Sequence, residues 1–114
     1  MRAYLKNSVT VFPVKDITAS ITWYNQWLEK PDIVPIEGMA EYQLTDTAWL
    51  QLSQEEGGEF ANIILGVEDI AQVREELFRK GLEPSEIVDW QVVLVCDLQD
   101  PDGNRISFAQ EVEM

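Results

Sequence analysis

Histidine is absent from the sequence, which removes the commonest transition-metal ligand and the usual Ser-His-Asp and Cys-His nucleophile systems. Cysteine is nearly absent: Cys96 stands alone, can form no internal disulfide, and fits a reducing compartment. It adjoins the apolar run Val92, Val93, Leu94, Val95, so it is expected as a core residue rather than a reactive thiol, because burial raises a thiol pKa. No apolar stretch approaches the roughly 20 residues of a membrane span. No apolar run follows the charged segment Met1 to Lys6 as a signal peptide requires. These absences point to a soluble, cytoplasmic protein. Basic residues are also scarce: 8 against 21 acidic ones give a net charge of −13, which repels phosphate backbones and anionic membrane surfaces. Neither nucleic acid nor membrane is an expected partner. The acids are scattered, which suits solubility better than a dedicated cation site.

Turning to what is present, 114 residues with 46% hydrophobic content can bury a sizeable core, and one domain, 1–114, is the expectation. The chain repeats itself. Val14-Lys15-Asp16-Ile17 recurs as Val67-Glu68-Asp69-Ile70, and the same shift of 53 positions lays Val9–Phe12 over Asn62–Leu65. Each copy reads as an apolar strand, then Val-x-Asp-Ile, then a helix. Ile17, Ile21, Tyr24 and Leu28 keep to one helical face, as do Ile70, Val73 and Leu77, with Gly81 as a stop signal. Asp16 and Asp69 stand where an aspartate accepts a hydrogen bond from a first-turn N–H, so capping accounts for both without catalysis.

Behind each helix come β-rich segments: 33–36, 41–44 and 49–52 in the first half, and 87–90, 92–98 and 105–110 in the second. The polar stretch Gln54-Glu55-Glu56-Gly57-Gly58-Glu59 divides them into module one, about 1–55, and module two, about 59–114. Asp100-Pro101-Asp102-Gly103-Asn104 supplies a turn before the last strand. The expected fold is therefore α+β, two tandem βαβββ modules. Asp100, Asp102 and Asn104 with Glu111 partly match a calcium loop, but the glycine that loop requires is replaced by Arg105.

Three segments together resemble the vicinal oxygen chelate superfamily, which includes glyoxalase I, extradiol dioxygenases and the bleomycin- and fosfomycin-resistance proteins. They are Val14-x-Asp16-Ile17-x-x-Ser20-x-x-Trp23-Tyr24, the second Val67-x-Asp69-Ile70, and Asp100-Pro101-Asp102-Gly103-Asn104 followed by Ile106. The resemblance implies curved sheets enclosing a ligand cavity with helices outside, and a homodimer, which in some members forms by exchange of modules. It also implies where metal ligands would stand. The first strand of each module carries one, usually histidine, five residues before the Val-x-Asp valine; here those positions are Val9 and Asn62. The glutamate expected four residues past the turn glycine is Ser107, and the nearest polar residue on the last strand of module one is Gln51. This set holds no charged ligand, so neither metal nor other cofactor is expected.

The expected function is a metal-free small-molecule-binding protein that holds its ligand in the cavity. The alternative is an enzyme of the same superfamily, with atypical metal ligands or with acid-base chemistry from a carboxylate such as Asp97 or Glu41. Gln51, Asn62 and Ser107 are candidate polar anchors beside Val9. Trp49 and Trp90, on or next to strands, are candidate aromatic contacts, whereas Trp23 and Trp27 on the first helix are expected to pack in a core or dimer interface. Arg105 shares strand parity with Ser107 and is suited to a carboxylate or phosphate group, although a salt bridge with a nearby acid is the simpler reading.

Overall fold

In the computed structural model, which describes residues 1–56 and 58–112, the chain separates into two units, Met1–Glu59 and Phe60–Met114. Gly57 of the expected link lies outside the described residues.

The first unit contains β1 (Ser8–Val14), α1 (Ile17–Leu28), β2 (Met39–Gln43) and β3 (Ala48–Gln54), after a short 3-10 turn at Arg2–Tyr4. Its sheet has the order β1-β3-β2, with β1 parallel and β2 antiparallel to β3. Phe12, Val14, Ala40, Tyr42, Leu50 and Leu52 all share one parity and are buried, together with Ser20 and Tyr24 of α1. This is the core of the unit. Trp23 and Trp27 belong to the same packing: Trp23 lies edge-on to Tyr24 at 4.7 Å between ring centroids, and Trp27 lies 5.9 Å from Tyr24. The Tyr42 hydroxyl and the Asn25 side-chain amide lie 2.9 Å apart, and burial pushes the phenol of Tyr42 up to about 12.

The second unit repeats the plan with β4 (Asn62–Gly66), α2 (Ile70–Arg79), β5 (Val88–Asp89), β6 (Val93–Gln99) and β7 (Arg105–Glu111), in the sheet order β4-β7-β6-β5. Its core is Cys96, Leu98, Ile106 and Phe108 of the sheet with Ile70, Leu77 and Leu82. Cys96 is fully packed, and burial raises its thiol pKa.

Both helices start where the repeated aspartates stand. Asp16 accepts from the N–H groups of Thr18 and Ala19, and Asp69 from that of Gln72. A second device recurs that the sequence did not disclose. The Gln54 side-chain oxygen accepts from Ile17 N–H at 2.9 Å, and that of Gln110 from Ile70 N–H at 2.8 Å. The last strand of each unit thus satisfies an otherwise unpaired N–H of the first helical turn. Helix α2 closes at Gly81, φ 86°, where Gly81 N–H donates to Phe78 C=O and Leu82 N–H to Leu77 C=O. That is a Schellman ending, with Leu82 packed back on the helix.

The expected strand at 33–36 is a correction. Only a single bridge forms there, Ile33 to Glu41. Pro35 and Pro31 have no N–H to donate on either side of the bridge, so a ladder does not propagate from it. The first unit therefore has three strands and a bridge where the second has four strands.

Candidate functional site

In each unit the helix covers one sheet face, and the strand register sets what stands on the other. On the first sheet that face carries Val9, Val11 and Pro13 of β1, opposite Trp49, Gln51 and Ser53 of β3, which in turn oppose Gln43, Glu41 and Met39 of β2. Val9 is a direct neighbour of Trp49, and Gln51 lies one side-chain step further along. Val9 is 47% exposed, and Trp49 and Gln51 are half-buried. The Gln51 amide donates only a weak 3.6 Å bond to Met39 Sδ.

On the second sheet the equivalent face is arranged in rows across three strands. Asn62, Arg105 and Gln99 form one row; Ile64, Ser107 and Asp97 form the next; Gly66, Ala109 and Val95 follow. Ser107 is buried and donates to Asp97 Oδ1 at 2.6 Å. Asp97 is also fixed through its backbone, its N–H donating to Ser85 Oγ at 2.8 Å and its C=O accepting from Ser85 N–H. A hollow of about 320 Å³ opens here, lined by Glu83, Ser85, Asp97, Gln99 and Arg105. Arg105 shares a face with Ser107, as the parity requires, but the salt bridge that was its simpler reading is not found. Ion pairs do form on α2, from Arg79 and Lys80 to Glu75 and Glu76.

Trp90 stands apart from these rows. It lies past the end of β5, 65% exposed, in the turn to β6 where its N–H donates to Val93 C=O and Gln91 takes φ 74°. The structure thus brings Val9, Trp49 and Gln51 onto one face and Asn62, Arg105 and Ser107 onto another. Sequence spacing did not join Asp97 to Ser107, or Glu41 to Gln51, because cross-strand register is invisible in a single chain. Two carboxylates therefore stand beside two of the family positions.

The turn at 100–104 holds this face in register. Asp100 Oδ1 accepts from the N–H groups of Asp102 and Asn104, and Asp100 Oδ2 from the Asn104 side chain at 2.9 Å. Asn104 Oδ1 accepts from Ala61 N–H at 2.8 Å, and Ala61 C=O accepts from Arg105 N–H. Asn104 is completely buried. Its side chain ties the start of β4 to the start of β7 and so sets Asn62 opposite Arg105. The partial calcium-loop spacing is accounted for by this hydrogen-bond network.

The same fold occurs in solved proteins. A glyoxalase/bleomycin resistance protein from Catenulispora acidiphila is similar to this chain with a TM-score of 0.84 and 27% identity, over 94% of this chain and 99% of that one. The fold is that of the vicinal oxygen chelate superfamily. A bleomycin resistance determinant encoded on the transposon Tn5 is similar with a TM-score of 0.78 at 16% identity, over 95% of this chain and 99% of that one. A putative glyoxalase family protein from Bacillus anthracis has a TM-score of 0.76 at 18% identity, over 98% and 100% of the two chains. No family model matches the sequence, and no curated protein matches it.

This fold raises the question of a metal, and the residues present do not fit one. Val9 has no donor atom, Gln51 and Asn62 offer neutral amides, and the Ser107 hydroxyl is already engaged with Asp97. Hard or borderline dications need several anionic or imidazole donors converging within about 2.6 Å. Among the described residues, no group of three or more His, Cys, Asp or Glu side chains is placed to hold a metal ion.

Proposed function

We propose that this protein is a metal-free small-molecule-binding protein, a single domain of two modules, whose ligand lies against the sheet faces turned away from the helices. The observation that carries this reading is the composition of those faces. At the positions where relatives of this fold place ligating side chains, this chain has Val9, Gln51, Asn62 and Ser107, an apolar contact and three polar groups suited to hydrogen bonding. The half-buried Trp49 beside Val9 adds an aromatic surface of the kind that binding sites use for flat or apolar ligands. The resistance proteins similar in fold support the same reading. We place the protein in the cytoplasm as a homodimer, a reading supported by its single, buried cysteine and by the dimers common in this superfamily. Among the described residues, no helix is long and apolar enough to cross a membrane.

Calorimetric titration of purified protein with zinc, nickel, manganese and iron(II) tests the reading. The expected result is no stoichiometric binding, with Trp49 fluorescence responding to apolar ligands. Stoichiometric metal uptake accompanied by turnover of a glyoxalase or dioxygenase substrate would sink it. A second reading, acid-base catalysis, is favoured by one observation: the 2.6 Å contact between Ser107 Oγ and Asp97. In that case Asp97→Asn eliminates a measurable proton exchange from an enolisable substrate, whereas a binding protein shows no such exchange in the wild type.

A further inference from the structure

We infer that the ligand is an organic carboxylate with an apolar body, and that Arg105 flanked by Asn62 and Gln99 takes its carboxylate; this rests on the binding reading above. The three side chains occupy one row across β4, β7 and β6. All three carry N–H donors, and none of these side chains makes a hydrogen bond or ion pair among the described residues. Glu83 and Asp97 line the same hollow as Arg105, yet neither forms an ion pair with it, so its guanidinium is available to a ligand.

Neighbouring strands lie roughly 4.8 Å apart, so Asn62 and Gln99 stand within side-chain reach on either side of Arg105, whose planar fork matches a two-oxygen acceptor. The next row supplies the body of the site. Ile64, 70% exposed, stands on the same face one side-chain step from Asn62, and Ala109 follows Ser107. An apolar group laid over Ile64 directs its carboxylate to Arg105. Charge sets the upper limit. Asp97 and Glu83 at the hollow, within a protein of net charge −13, repel polyanions, so a single carboxylate is favoured over phosphate groups. Arg105 has no structural partner to lose, so its replacement leaves the fold intact.

Titration of ¹⁵N-labelled protein with benzoate, phenyl phosphate and benzyl alcohol, read on the Asn62, Gln99 and Arg105 side-chain signals, tests this. Benzoate is expected to shift all three and to bind at least tenfold more tightly than benzyl alcohol, an advantage lost in Arg105→Gln and partly kept in Arg105→Lys. Tighter binding of phenyl phosphate overturns the carboxylate assignment. Equal binding of benzyl alcohol, unchanged in Arg105→Gln, overturns the anchor while leaving the binding reading in place. No response to any probe on either sheet face overturns both.

Discussion

Asn104→Ala is the perturbation whose cost follows most directly from the structure. The side chain is completely buried, and its loss removes two hydrogen bonds, one to the Asp100 carboxylate at 2.9 Å and one from Ala61 N–H at 2.8 Å. Hydrogen bonds to charged groups contribute about 1.5 to 3 kcal/mol, and a buried N–H left unsatisfied costs about 1 to 3 kcal/mol more. The variant is therefore expected to lose about 3 to 5 kcal/mol, or roughly 10 to 20 °C in Tm for a domain of this size. Urea denaturation followed by circular dichroism measures the loss, with Gln99→Ala as the comparison. Gln99 is exposed and its side chain makes no hydrogen bond among the described residues, so that variant should stay within about 0.5 kcal/mol of wild type. A loss below about 1 kcal/mol in Asn104→Ala would refute the reasoning, because water would then be satisfying both Asp100 and Ala61. The same variant should weaken benzoate binding, since Asn104 holds Asn62 opposite Arg105.

Other expectations follow from individual contacts. Tyr42 should titrate near pH 12, later than an exposed tyrosine, in an ultraviolet tyrosinate titration, and Tyr42→Phe should remove that late step. Because its folded pKa is raised, the stability it contributes is complete below about pH 10, the ordinary tyrosine pKa, and falls as pH rises toward 12, so alkaline unfolding should steepen in that window. Asp16→Ala and Asp69→Ala should each cost about 1 kcal/mol in urea melts through loss of a helix cap, with Asp16→Asn retaining most of it. Cys96 should react with Ellman's reagent only at the rate of unfolding, and rapid labelling in native buffer would contradict its burial.

The repeat made much of this fold readable. Val-x-Asp-Ile occurs twice because each aspartate caps a helix and each valine stands at a strand end, Val14 closing β1 and Val67 directly following β4, and these local requirements are written in adjacent residues. The glutamine caps were not readable, since Gln54 and Gln110 act on N–H groups 37 and 40 residues away. A local reading of 33–36 as a strand followed its β-rich composition, yet two prolines left it only one bridge. At the candidate site, family spacing nominates Val9, Asn62 and Ser107, and strand parity groups Arg105 with Ser107. The partnership of Ser107 with Asp97 and the donor row through Asn62, Arg105 and Gln99 depend on which strands pair and in what register. That information arises only when distant segments of the chain meet.

Organic ligand, and not metal, is expected against the sheet face bearing Val9 and Gln51 in the first unit or that bearing Asn62 and Ser107 in the second. A high-resolution crystal structure of protein purified without chelator tests it most directly, through anomalous scattering recorded at the zinc, nickel, iron and manganese edges. The expected result is no anomalous peak near these side chains and, where a ligand is retained, density for a small organic molecule against them. A peak coordinated by Gln51, Asn62 or Asp97 would contradict it.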